Sequence, residues 1–204
     1  MKKLLSLAIL FLFIGTSSFV MPAPLTKQER KMAAGLLKET KKDFLKSVKG
    51  LSDAQLDFKA SPDKWSIGQC MEHIALAEGL LDQLLDGVMK APANPEKRAE
   101  IKITDEQIFP LVTDRSKKAQ APEQLQPHNS FKTADEIVAA FTSGRDKHIT
   151  YIKTTDEDMR NHCAPHPAFG MLDSYQFMLL AAAHCKRHTL QIDEVKATPG
   201  YPTY

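Results

Sequence analysis

The chain has 204 residues, 43% of them hydrophobic and 25% charged, a profile that excludes a disordered tail and a multi-span membrane protein. Lysine and arginine number 27 against 25 acidic residues; without Lys2 and Lys3 the two signs balance, so no broad basic field is left to grip phosphate backbones, and nucleic acid is excluded as a principal partner. Three cysteines are too few for a disulfide scaffold, and a chain of this length buries a core without one.

Lys2 and Lys3 precede the apolar run from Leu4 to Ile14, and Gly15, Thr16, Ser17 and Ser18 follow. That is the charged, apolar and cleavable order of a secretory signal, so residues 1–23 are read as a signal peptide, with the mature start between Phe19 and Pro24. A retained anchor is the alternative, because Phe19, Val20 and Met21 continue the apolar character, and only then does the chain touch a membrane. Export implies a periplasmic or secreted protein whose Cys70, Cys163 and Cys185 meet oxidising conditions. Residues 24–204 are read as a single domain.

Thr26 with Glu29 forms a capping-box pattern, and Met32, Leu36, Thr40, Phe44 and Val48 recur at helical spacing, which predicts a first helix over residues 27–48. Gly50 ends it, and Ser52 with Gln55 suggests a short helical turn. Ser66 with Gln69 opens a second helix, whose apolar stripe Ile67, Met71, Ile74, Leu81, Leu84 and Val88 runs to about residue 90. Residues 91–131 carry Pro92, Pro95, Pro110, Pro122 and Pro127 and read as one long connection, with a short helix around Asp105 to Val112. Thr133 with Glu136 opens a third helix, carrying Ile137, Phe141, His148 and Ile152 and ending near Thr155. The segment from His162 to Gly170 reads as a turn-rich connector. Asp173 with Gln176 opens the fourth helix, with Phe177, Ala181, His184, His188 and Val195 inside, and Pro199 stops it. Four long amphipathic helices joined by connections of unequal length imply an all-α four-helix bundle.

His184 and His188 are four residues apart, about 40° apart in azimuth and about 6 Å along the axis of an α-helix, so both imidazoles can reach one ion. His73, on the second helix, is the natural third ligand. Three neutral imidazoles leave a divalent cation its full charge and open positions, the arrangement that acidifies water or polarises a substrate. The competing reading is three core histidines satisfied by local hydrogen bonds.

The run Trp65-Ser66-Ile67-Gly68-Gln69 followed by His73, and the later run from His184 through Cys185, Lys186, Arg187, His188, Thr189 and Leu190 to Gln191 and Ile192, resemble the two signature segments of the DinB-like, or YfiT-like, superfamily. The resemblance spans nearly the whole mature chain. It implies a four-helix bundle in up-up-down-down order, with a divalent metal such as zinc or nickel held by His73, His184 and His188 at one end of the bundle cavity. It further implies metal-dependent hydrolysis of an unspecified small molecule, with thiol-dependent transfer as the runner-up; the export signal weighs against the latter because soluble thiol cosubstrates are mostly cytosolic. A non-catalytic metal- or ligand-binding bundle is the third reading.

Gln69 and Gln191 lie one turn from His73 and His188, placed to orient those rings by hydrogen bonding, although Gln69 also has a capping role. His162 and His166 in the connector can line the cavity mouth or carry protons, with ordinary loop residues as the alternative. His148 either reaches the site or is a hydrogen-bonded core histidine. Cys70 and Cys185 can point toward the ion but read better as small buried hydrophobes. Glu72 and Glu78 do not share His73's azimuth, so no general base is assigned. The oligomeric state, a homodimer included, stays open.

Overall fold

The computed structural model describes residues 24–118 and 120–203; the expected signal peptide, residues 1–23, lies outside them. In chain order the described residues form α1 (Lys27–Val48), α2 (Asp53–Asp57), α3 (Ile67–Lys90), α4 (Asp105–Thr113), α5 (Ala134–Thr154), β1 (Cys163–His166), β2 (Gly170–Asp173) and α6 (Ser174–Lys196). Helices begin where the side chains can cap them. Thr26, Ser52, Ser66 and Asp173 each accept from the backbone N–H three residues on, and Glu29, Gln55, Gln69 and Gln176 reach back to the cap's own N–H. Each start thereby satisfies two donors that have no partner within the helix.

α1, α3, α5 and α6 form a four-helix bundle in which α1 and α3 each pack against both α5 and α6. The directions follow from the contacts. Tyr175 Oη at the start of α6 donates to Glu29 O at the start of α1 (3.0 Å), and Lys186 reaches Asp43 near the other end, so α1 and α6 are parallel. Arg30 donates to Ile152 O and Lys41 to Asp146, which sets α5 antiparallel to α1. Asn94, just past α3, bonds to Cys163 ahead of α6, while His73 early in α3 meets His184 and His188 late in α6; these two helices are antiparallel.

The order is therefore up-down-down-up, which corrects the expected up-up-down-down arrangement. Every pair of parallel helices that are consecutive in the chain needs a crossover as long as the bundle, and an up-up-down-down bundle needs two. This chain has one, residues 91–133, between α3 and α5. Within it α4 climbs the outside of α6: Gln176 Nε2 donates to Ile103 O at the lower end, and Arg187 Nη1 donates to Val112 O and Asp114 O toward the upper end. The crossover also carries 3-10 turns at Pro95–Glu100 and Glu123–Leu125.

A second difference lies between α5 and α6, where the connector is a small antiparallel hairpin pairing Cys163 with Asp173 and His166 with Gly170. Its strands, four residues each, are too short to show alternation, and Gly170 holds φ +72°, a left-handed conformation open to glycine.

Two apolar clusters fill the bundle, a lower one around Leu37, Leu81, Ile152 and Met178 and an upper one around Phe44, Ile67, Phe141 and Ile192. Between them sits a polar belt. Arg145, 0% exposed, forms a bidentate pair with Glu78 and donates to Thr40 Oγ1 (2.8 Å) and to the carbonyls of Leu37 and Ala181. A Cβ on Gly144 would lie 3.1 Å from Glu78 Cγ, so glycine gives the Glu78 side chain its room against α5. Among the described residues no helix is long and apolar enough to cross a membrane.

Candidate metal centre

The upper half of the bundle brings His73, early in α3, against His184 and His188, late in α6, because those helices are antiparallel. Their ligand atoms lie within 4.8 Å of one another. His73 Nε2 stands 3.0 Å from His184 Nε2 and 3.1 Å from His188 Nε2. His73 and His188 are buried and His184 is half-buried.

The remaining ring nitrogens decide what the cluster can do. His73 Nδ1 lies 2.7 Å from Leu125 O, which only accepts, so Nδ1 carries the hydrogen and a neutral ring presents a bare Nε2. His188 Nδ1 lies 2.9 Å from Gln191 Oε1, and Arg115 Nη1 donates to that same atom at 3.3 Å, which identifies it as the amide oxygen. His188 therefore presents a bare Nε2 as well. Two lone pairs face each other across 3.1 Å, an arrangement that repels unless a positive charge lies between them.

A proton is poorly suited to that position. Burial pushes the pKa of His73 down, and burial together with the neighbouring imidazoles pushes His184 well down and His188 to about 3. A divalent cation fits better. With metal–nitrogen bonds of about 2.0–2.1 Å, ligand angles between about 90° and 110° correspond to nitrogen separations of about 2.8–3.4 Å, a range that includes both separations at His73 Nε2. Three imidazoles suit zinc, nickel and their neighbours in the first transition row.

Trp65 flanks the trio, its ring centroid 4.9 Å from that of His73 and 6.1 Å from that of His188. Gln191 orients His188 as described, whereas the Gln69 side chain is engaged in capping α3 through Ser66 N (3.1 Å). Other residues singled out in the sequence lie elsewhere. His148 contacts Glu78 Oε1 (3.1 Å) and Asp82 Oδ1 (3.0 Å) in the polar belt. His162 Nδ1 bonds to Asp158 O, and His166 stacks on Phe169 in the hairpin at the lower end. Cys70, Cys163 and Cys185 are free and buried; Cys185 Sγ faces Thr40 O on α1. Burial raises their thiols, to about 12 for Cys70 and about 11 for the other two.

Two participants escaped the sequence reading. The Leu125 carbonyl comes from a 3-10 turn in the long crossover, and a backbone oxygen carries no sequence signal. Arg115 lies in a lysine-rich stretch that reads as a solvated surface, yet it pairs with Glu194 (2.7 Å) and touches Gln191. The spacing of Gln191 and Glu194 on the face beside His188 was the available hint.

Comparison with known proteins bears on the same segments. Residues 36–192 match the DinB superfamily. The protein YuaE of Bacillus subtilis (strain 168) is 27% identical over 161 residues, covering 79% of this chain and 95% of that protein. Among solved structures, YfiT from Bacillus subtilis aligns with a TM-score of 0.59 at 16% identity, covering 87% of this chain and 91% of that one; it is described as a probable metal-dependent hydrolase with an unusual four-helix bundle topology.

Proposed function

The chain belongs to the DinB superfamily, and from that membership together with the facing imidazoles we propose that it binds one divalent cation, zinc or nickel, through His73, His184 and His188 and hydrolyses a small molecule. The observation that carries the reading is the pair of bare Nε2 atoms on His73 and His188 held 3.1 Å apart, with His184 beside them. The description of YfiT as a probable metal-dependent hydrolase supports the same reading.

A divalent cation held there supplies Lewis acidity, toward water and toward a substrate oxygen alike. The chain's residues set the conditions for that chemistry. Leu125 O and Gln191 Oε1 hold the rings of His73 and His188 in the ligating tautomer before any ion arrives. Burial keeps the imidazoles neutral at pH 7, so protons do not compete for the nitrogens. Trp65 flanks the rings of His73 and His188 and shields that side from water. Three protein ligands, with Cys70 and Cys185 outside the trio, favour an open site over a closed structural one.

The secretory pattern of residues 1–18 belongs to the same proposal and places the mature protein in the periplasm or outside the cell. Fractionation with sequencing of the mature amino terminus tests it: a start between Phe19 and Pro24 is expected, and an intact Met1 in the cytoplasm refutes export.

For the site, metal analysis of untagged protein is compared with the triple variant His73→Ala, His184→Ala, His188→Ala. About one divalent ion per chain is expected in the parent and almost none in the variant; equal occupancy sinks the assignment. Ester, amide and thiol-conjugate substrates are then screened with and without chelator. Metal-dependent release from an ester or amide supports hydrolysis, and turnover confined to added thiol supports transfer instead.

A further inference from the structure

Glu72 immediately precedes His73, but its side chain points to a different partner. It is a buried carboxylate that, among the described residues, binds no cationic side chain. Instead it accepts three consecutive backbone N–H groups from the end of the crossover: His128 N to Oε1 (3.1 Å), Asn129 N to Oε2 (3.3 Å) and Ser130 N to Oε1 (2.8 Å). Three successive N–H groups converge on one anion only when the backbone folds into a concave nest. Asn129 makes that fold, with φ +61°, a left-handed conformation that asparagine tolerates better than other residues with a side chain.

The segment held this way is the one that reaches the histidines. Three residues upstream of His128, Leu125 O accepts from His73 Nδ1 at 2.7 Å. The crossover is thus fastened to α3 twice, once at Glu72 and once at His73. His128 adds rigidity: its ring bonds to Gln126 O (2.8 Å) and to Ser130 Oγ (2.9 Å), closing the turn on itself.

We propose that Glu72 is a positioning residue for the metal centre: by clamping the backbone of residues 128–130 it holds the Leu125 carbonyl against His73 and fixes that ring with Nε2 toward the ion. The cation-binding part of this inference rests on the function proposed above; the tautomer part does not. A carboxylate with a purely structural role would tie the crossover to α3 and leave the state of the His73 ring unchanged.

The test uses full-length mature protein labelled with 15N-histidine. Long-range proton–nitrogen correlations on metal-free protein report the His73 tautomer, and titration with Co2+ alone reports affinity. Glu72→Gln keeps the shape but sets an amide NH2 against a backbone N–H. It is expected to turn the single Nδ1–H form of His73 into a mixture and to weaken Co2+ binding by about ten- to a hundredfold. Asn129→Val, at an exposed position, strains the nest without altering Glu72 and is expected to act in the same direction with smaller size. It decides the matter if Glu72→Gln fails to fold. Glu136→Gln removes another carboxylate that accepts a backbone N–H, that of Lys132, away from the histidines, and should leave both readouts unchanged. A parent-like His73 tautomer in folded Glu72→Gln, or in Asn129→Val if the former does not fold, overturns the proposal. Failure of the parent to bind Co2+ removes the metal assignment, while the tautomer comparison still judges Glu72.

Discussion

Gln191 shows how one side chain prepares another. Its Oε1 accepts from His188 Nδ1 and from Arg115 Nη1, so the ring is held with Nε2 inward and the amide cannot turn over without losing both bonds. Gln191→Ala should therefore weaken divalent-cation binding by about ten- to a hundredfold with little change in helix content, read by competition against a coloured chelator. The cysteines make a separate case. Burial raises Cys70 to about 12 and Cys163 and Cys185 to about 11, and only the thiolate is nucleophilic. The folded protein should leave all three unmodified by a thiol reagent at pH 8, and the denatured protein should react at all three. Rapid labelling of the native state would contradict the burial described here.

The coupling of α3, α5 and α1 through Arg145 is the element-scale counterpart. A guanidinium removed from water is tolerable only when its donors are matched, and Glu78, Thr40, Leu37 O and Ala181 O match them. Taking away the carboxylate in Glu78→Gln leaves a buried unpaired charge, at a cost of about 3–5 kcal/mol by urea denaturation. The pair also has a pH signature. Burial alone would raise the Glu78 carboxyl, but the charge of Arg145 and hydrogen bonds from His148 and Arg145 outweigh it and hold the group below its ordinary value. A carboxyl depressed in the folded state contributes its full stability above the unfolded pKa of about 4.3 and loses it as pH falls through the lower folded value. The parent's urea midpoint should thus fall on acidification below about pH 4.5, and Glu78→Gln should flatten that part of the profile. The capping boxes made the helix starts legible: Thr26, Ser66 and Asp173 mark the first residues of α1, α3 and α6. The polar belt was not, since Glu78 and Arg145 read locally as ordinary helical charges.

Across the whole molecule, the chain path controls which helix ends meet. α3 has 24 residues and so spans about 36 Å at 1.5 Å per residue, and the crossover must return that distance before α5 can start beside the amino-terminal end of α3. A six-residue replacement for residues 91–133 reaches only about 20 Å. Such a variant should lose the native monomer, either unfolding or exchanging helices between chains, which size-exclusion chromatography with circular dichroism distinguishes. A stable native-like monomer would refute the up-down-down-up path. The crossover also explains the burial of α6, which packs against α1, α3 and α4. For that reason Ala182, Ala183 and Cys185 are buried, while Ala181 and His184 from the expected interior stripe are only half-buried.

Local chemistry written into the sequence determined the helices, their starts, the single long crossover and the two histidine-bearing segments, because capping and apolar periodicity act over four residues or a few turns. The single crossover also carried the information needed for helix direction, through chain length. Tertiary structure alone decided that His73 faces His184 and His188 at about 3 Å, that a carbonyl from the crossover sets the His73 tautomer, and that Glu72 grips the crossover. These depend on side-chain and backbone atoms far apart in sequence arriving at one point, and no local pattern encodes such a meeting.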